Sequence, residues 1–275
     1  MLATDGSEDA ALAARAAVDL SKKLGSELHV VHVWHDVRTP HFHSLVRAKL
    51  EREAQEVLDK QVDLIEGIGG VVAEAHLRVG RTVDEILDLS EEIEAGLLVV
   101  GSRGLGGVKR LLMGSVSEGI VHHARRPVLV TRGGEAAWPP VRVVVGDDSS
   151  EDARKAAELA AGIGKLFGAQ VLLVRVYPDC LDDEALWQAE RDLEGRASKL
   201  EDILGHRPQT KIKATASGPA VAILETAQVE EGPTLIAIGS RGLGPIGRVR
   251  LGSVSTKVVR AAPGPVLVHP PSSHS

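Results

Sequence analysis

The sequence predicts an α/β protein of two tandem domains, each a five-stranded parallel sheet covered by helices on both faces. Three observations carry that expectation. Short β-rich apolar runs alternate with longer helical patterns, the sequence signature of β-α-β units with right-handed crossovers. The whole alternation occurs twice. The length, 275 residues, is enough for two domains of about 100–150 residues each.

The repeat is explicit. GSRGLGGVKRLLMGSVSEGIVHHARRPVLV from Gly101 and GSRGLGPIGRVRLGSVSTKVVRAAPGPVLV from Gly239 agree at 17 of 30 positions without a gap. The starts match as well, Asp5-Gly6-Ser7-Glu8-Asp9-Ala10 against Asp148-Ser149-Ser150-Glu151-Asp152-Ala153. A period this long means two copies of a domain, not a solenoid. The turn-rich stretch from Gly133 to Pro140 reads as the linker. The expected domains are therefore 1–132 and 141–275, joined by 133–140.

In the first copy only Met1 to Thr4 precede Asp5, so its first strand reads as clipped. Strands two to five are HVVHV, VVAEAHL, LLVV and PVLV. In the second copy VRVVVG from Val141 is a continuous apolar run, suited to a strand buried on both faces. A helix capped near Ser150 follows and runs to Gly168. Next come strand VLLVRV from Val171, a helix within Asp183 to Leu204, strand KIKATA from Lys211 and a helix after Pro219. Strand TLIAIG from Thr234, a helix from about Ser253 and strand PVLV from Pro265 complete the copy.

Composition narrows the function. Hydrophobic residues at 43% and charged residues at 25% are a globular balance, and 32 basic against 38 acidic residues leave a net charge of −6. No bulk positive field is available to hold a phosphate backbone. The six aromatics (Trp34, Phe42, Trp138, Phe167, Tyr177, Trp187) are scattered, which argues against a base-stacking platform, so nucleic acid is not an expected partner. Cys180 is the only cysteine; neither an intrachain disulfide nor a cysteine zinc cage follows from it. The start lacks the marks of a signal peptide, and no apolar run is long enough to span a bilayer. A soluble cytoplasmic protein without a membrane partner is expected.

An open parallel sheet binds ligands beyond the carboxyl ends of its strands. There the sequence offers Asp5, and Asp147 with Asp148, after strand one. Val33 with Trp34, and Val176 with Tyr177, end strand two. Gly101-Ser-Arg-Gly104 and Gly239-Ser-Arg-Gly242 follow strand four, each nine residues ahead of Gly114-Ser115 or Gly252-Ser253. Glycine lets backbone approach a ligand, and a Gly-Ser directly before a helix aims free N–H groups and a hydroxyl at an anion. Glycines after strands also make plain turns. The enclosed nine residues are long and, with Arg103 and Arg241 beside them, basic (Lys109, Arg110; Arg248, Arg250), which favours a phosphate cradle. Gly242-Leu-Gly244-Pro-Ile-Gly247 matches G-x-G-x-x-G, but Pro245 lies inside it and the first copy lacks it. No P-loop motif is present.

The Asp after strand one, the Val31-His32-Val33 run, and G-x2-G-x9-G-S before the last helix and a Pro-Val-Leu-Val strand resemble the universal stress protein family, twice over essentially the whole chain. The resemblance implies Rossmann-like domains and, with the full glycine motif, binding of an adenine nucleotide: ATP, or AMP or ADP, with Mg2+ accompanying ATP. It implies that Asp5 and Asp148 lie near adenosine and that the Val33 and Val176 backbones read the adenine edge. Gly101, Gly104, Gly114 and Ser115 would hold ribose and phosphates, as would Gly239, Gly242, Gly252 and Ser253, with Arg103, Val116, Arg241 and Val254 adjoining. It further implies domains paired through their last strands, and a homodimer. Ser149 in place of the usual glycine and the extra carboxylate of Asp147 set the second site apart.

The expected function is a nucleotide-responsive module of the stress response, acting through a protein partner. The alternatives are a slow ATPase or adenylyl-transfer enzyme, for which Asp147 and Asp148 are the only candidate base and metal ligands, and a module that contacts proteins without nucleotide. Ser115 and Ser253 have no repeated general base, so no catalytic residue is assigned. Histidines crowd the stretch His29, His32, His35, His41 and His43, but His29 and His32 point to opposite strand faces, so no metal site is assigned either.

Overall fold

The computed structural model describes residues 1–36, 43–104, 113–177, 183–229, 232–242 and 251–271, with side chains of 43–45 and 183 set aside. Lys109, Arg110, Arg248, Arg250, Cys180, His41, the His43 side chain and the G-x-G-x-x-G stretch past Gly242 lie outside that description. Two compact units divide the chain, Met1–Gly134 and Glu135–Ser275.

The first unit runs β1 (Leu2–Thr4), α1 (Glu8–Leu24), β2 (His29–Trp34), α2 (His43–Gly67), β3 (Glu74–Val79), α3 (Thr82–Glu92), β4 (Leu98–Gly101), α4 (Ser115–His123) and β5 (Val128–Thr131). Its strands lie in the order β3-β2-β1-β4-β5, all parallel. Helix α1 packs on α2 and α3 packs on α4, which gives each face of the sheet two helices. The three-residue β1 is fully formed and central, with Leu2 and Ala3 in register with Val30 and Val31 on one side and Val99 and Val100 on the other. The third strand begins at Glu74, later than the Val71 expected, and Val71 is exposed.

The second unit repeats the plan. It consists of β6 (Arg142–Gly146), α5 (Glu151–Phe167), β7 (Gln170–Tyr177), α6 (Asp183–Leu204), β8 (Gln209–Ala214), α7 (Pro219–Gln228), β9 (Thr234–Gly239), α8 (Ser253–Ala261) and β10 (Val266–His269). The order is β8-β7-β6-β9-β10, again parallel throughout. Within the stretch expected as linker, Glu135–Ala137 forms a 3-10 turn and Trp138 meets Phe167 of α5 edge-on, 5.2 Å between ring centres.

Local chemistry explains the helix next to each site. Ser7 and Ser150 cap α1 and α5 by accepting from the Ala10 and Ala153 N–H groups, and acidic residues occupy the first turn of each. Gly25 and Gly168 end them in left-handed conformation, at φ 62° and 66°. The buried stripe is mostly alanine (Ala10, Ala13, Ala14, Ala17; Ala153, Ala156, Ala157, Ala160), so both helices can lie close against the strands.

Candidate functional site

Strand β1 stands where the strand order reverses, with β2 on one side and β4 on the other. A doubly wound sheet opens a crevice at that switch point, beyond the carboxyl ends of its strands. The turn after β1, the loop between β4 and α4 and the end of β2 meet there in the first unit. The turn after β1 is pinned when Asp5 Oδ1 accepts the Ser7 N–H (3.0 Å) and Thr4 Oγ1 accepts the Gly6 N–H (3.1 Å). It is tied to the loop after β4 by Ser7 Oγ donating to the Arg103 carbonyl at 3.3 Å. That loop is joined to the start of α4 by the Gly114 N–H donating to the Ser102 carbonyl at 2.8 Å, and by Ser117 Oγ donating to the Gly101 carbonyl at 2.7 Å. Val33, buried on β2, lies one residue past the His32–Thr4 register pair and so next to Asp5.

The second unit copies these contacts. Asp148 Oδ1 accepts the Ser150 N–H at 3.0 Å and Ser150 Oγ donates to the Arg241 carbonyl at 3.3 Å. The Gly252 N–H donates to the Ser240 carbonyl at 2.7 Å, and Ser255 Oγ to the Gly239 carbonyl at 2.8 Å. Val176 stands two residues beyond the Gly146–Val174 pair. Ser149 takes φ 69° where Gly6 has 78°, so the turn keeps its left-handed shape despite the side chain.

The glycines fall into two groups. A Cβ on Gly101 would stand 2.7 Å from the Asp9 carbonyl carbon, and one on Gly239 would stand 2.7 Å from the Ala153 backbone nitrogen, so both make room for the first turn of a helix. A Cβ on Gly104 or Gly242 would instead fall on the Oδ2 of Asp5 or Asp148. The second pair thus faces the carboxylates directly. Gly114 and Gly252 are the N-caps of α4 and α8, and neither helix has a side-chain cap. The first-turn N–H groups around exposed Ser115 and Ser253, with Val116 and Val254 following, thus take no side-chain cap among the described residues.

Charge beside the first loop is positive but tethered. Arg103 Nε lies 3.5 Å from Asp9 Oδ2, which also accepts from Ser102 Oγ at 2.7 Å. Burial, and then the neighbouring Arg103 charge, push the Arg132 guanidinium pKa down against the pull of Asp9. In the second unit Arg241 Nε is buried without a hydrogen-bond partner among the described residues.

Asp147 departs from the sequence expectation of a second carboxylate near an anionic ligand and a candidate base. Its side chain is fully buried, held by Arg175 of β7 and, at 3.2 Å, by Arg196 Nε of α6. Burial alone would lower the Arg175 pKa, but the hydrogen bond and charge of Asp147 more than offset it and the net shift is upward. A carboxylate buried against two guanidiniums is turned inward and neutralised there, away from any ligand or metal at the surface. The first unit fills the matching place without an ion pair: Thr4 Oγ1 donates to Gln61 at 2.7 Å and His32 Nδ1 lies 2.8 Å from the Thr4 carbonyl. Arg175 carried a readable signal, since a charge inside the apolar run VLLVRV needs a buried partner.

Comparison with known proteins is consistent along the chain. The model of the Universal stress protein family matches residues 1–132 and again 141–270. A universal stress protein of Mycolicibacterium smegmatis is 30% identical over 228 residues, 79% of this chain and 76% of that protein. Universal stress protein Rv1996 of Mycobacterium tuberculosis is 30% identical over 208 residues, 69% of this chain and 62% of the relative's length. The crystal structure of a universal stress protein from Archaeoglobus fulgidus superposes with a TM-score of 0.76 at 28% identity, covering 98% of this chain and 97% of that one.

Proposed function

The chain belongs to the universal stress protein family, and from that premise we propose that each half binds one adenine nucleotide, with ATP the expected ligand. The observation that carries the reading is the pairing of Gly104 with Asp5 and of Gly242 with Asp148, where a side chain would occupy the space in front of the carboxylate. The residues present fit the group. Asp5 or Asp148 would meet the sugar of adenosine, the Val33 or Val176 backbone the adenine edge, and the uncapped N-termini of α4 and α8 the phosphates. Mg2+ would be held largely by those phosphates.

Binding, with an output to a protein partner, suits this chain better than turnover. The enzyme alternative drew on Asp147 and Asp148, and Asp147 is committed to Arg175 and Arg196. Nucleotide in the cradle changes the surface that the starts of α4 and α8 offer, and a partner with differential affinity for the two states reads the difference. A homodimer and a cytoplasmic setting go with the same reading. Among the described residues, no helix is long and apolar enough to cross a membrane.

The test is the nucleotide carried by the purified protein, identified by mass spectrometry and counted per chain, followed by calorimetric titration with ATP. Two sites per chain are expected, with Gly114→Val and Gly252→Val each removing one. A folded wild-type protein that neither carries nor takes up adenine nucleotide overturns the proposal.

A further inference from the structure

At the edge of the first unit's sheet, three side chains stand together that the sequence separates by up to 47 positions. His29 opens β2, while Glu74 and His76 lie on β3, with His29 in register with Glu74 and Val31 with His76. Since side chains two apart on a strand share a face, all three project from one side of the sheet. His29 Nδ1 is 3.1 Å from His76 Nε2, and Glu74 Oε2 is 4.0 Å from the first nitrogen and 3.7 Å from the second. A triangle with those sides has its centre about 2.1 Å from every corner, and a small inward shift of the exposed Glu74 carboxylate lets an ion stand above that plane at the distance at which zinc binds imidazole nitrogen and carboxylate oxygen. We propose that His29, Glu74 and His76 form a binding site for one divalent transition-metal ion of the zinc type, with water as the fourth ligand.

The surroundings suit a metal ligand set. The two histidine side chains are mostly covered, 17% and 11% exposed, while Glu74 is 62% exposed and leaves an open side for water. The outer nitrogen of His29, Nε2, lies 3.5 Å from Glu27 Oε2. Donation of that N–H to Glu27 leaves Nδ1, now in contact with His76 Nε2, unprotonated and available as a ligand atom, the arrangement by which a carboxylate orients a metal-bound histidine. Two nitrogens and one oxygen favour zinc, copper or nickel over magnesium or calcium, which require oxygen shells.

The site belongs to the first unit alone. In the second unit the matching register pair is Leu172 with Gln209, and Lys211 takes the place of His76. The fold therefore does not need these groups, and the second copy supplies the control: the variant His29→Leu/Glu74→Gln/His76→Lys installs residues the same sheet edge already accommodates. His29 begins β2 and Val33 is its penultimate residue, so the metal site lies at the opposite end of that strand from the nucleotide cradle. An ion there links the edge strand β3 to β2.

The experiment is titration of tag-free full-length protein, freed of metal by chelation, with Zn2+ under calorimetry. Co2+ as a spectroscopic probe reports coordination, and Mg2+ serves as a negative control. One Zn2+ per chain is expected, with tetrahedral Co2+ absorption and a raised melting temperature that chelator reverses. The triple variant should lose all three while keeping the wild-type circular dichroism and its ATP binding, and Glu27→Gln should weaken Zn2+ by about 10-fold. Failure of the wild type to bind Zn2+, or unchanged binding by the triple variant, overturns the proposal. If the triple variant is misfolded, His76→Gln alone decides by the same criteria.

Discussion

Substituting the two glycines of the loop after β4 separates packing from ligand space. Neither Gly101 nor Gly104 has a left-handed backbone, so alanine is conformationally acceptable at both and only the added Cβ matters. At Gly101 that carbon meets three backbone atoms of the α1 first turn, at 2.7, 2.8 and 3.0 Å. Backbone cannot rotate aside, so the helix must retreat by roughly 0.7 Å to reach ordinary contact. Overpacking of this kind costs about 1–3 kcal/mol, a fall of roughly 3–10 °C in the melting temperature of a unit this size. At Gly104 the added carbon meets only the far end of the Asp5 side chain, which can swing away. The loss there is the 3.0 Å bond from the Ser7 N–H, about 1 kcal/mol. The carboxylate also leaves the concavity, so Gly104→Ala should weaken nucleotide at the first site by at least about 10-fold, equivalent to 1.4 kcal/mol. Scanning calorimetry and ATP titration on both variants, with Gly239→Ala and Gly242→Ala as the matched pair, check the split. A Gly101→Ala protein that melts like wild type yet loses ATP would show that this glycine serves the ligand and refute the division.

Two further predictions concern buried charge. Asp147→Asn should destabilise the second unit by about 3–5 kcal/mol, because Arg175 and Arg196 would keep their charge without a carboxylate; urea unfolding measures it, and a loss below about 1 kcal/mol would mean that the triad is weakly coupled. His269 is held below the ordinary imidazole pKa, first by burial, with the Pro270 carbonyl and Asp152 pulling the other way. The folded state therefore resists its protonation, and the stability present above pH 6.5 is lost as the pH falls through the lowered folded value. Melting temperatures between pH 7.5 and 5.5 should drop less in His269→Gln than in wild type, and equal slopes would remove His269 from the account.

Local rules sufficed for much of the fold. The Ser7 and Ser150 caps, the Gly25 and Gly168 stops and the apolar β6 run are each decided within a few residues, and the helix and strand bounds of the second copy follow them closely. Parallel order then brings Asp5, Val33, Gly101 and Gly104 to one end of the sheet, because each stands at or just past the carboxyl end of a strand. What was not legible depends on contacts across strands. The pairing of His29 with His76 needs the β2–β3 register, and only the alternation Glu74-x-His76 in VVAEAHL hinted that those two share a face. The inward turn of Asp147 depends on Arg196 from a helix almost 50 residues away.

Duplication by itself is weak evidence for a site, since a copied gene carries structural glycines as faithfully as functional ones. The contacts of the two units show where the copies have diverged and where they have not. At the root of the turn, a Thr4–Gln61–His32 hydrogen-bonded set in one unit stands where the other has an Asp147–Arg175–Arg196 ionic set, so that position tolerates different chemistries. At the sheet edge, His29, Glu74 and His76 give way to Leu172, Gln209 and Lys211. The turn at Asp5 and Asp148 is kept to within hydrogen-bond precision even though Ser149 must hold φ 69° to preserve it. A left-handed serine costs about 1–2 kcal/mol relative to an ordinary conformation. The turn sets up the Ser150 cap of α5 and the Ser150–Arg241 bond, which offset part of that strain; on the proposed reading the rest is borne to keep the Asp148 carboxylate facing Gly242.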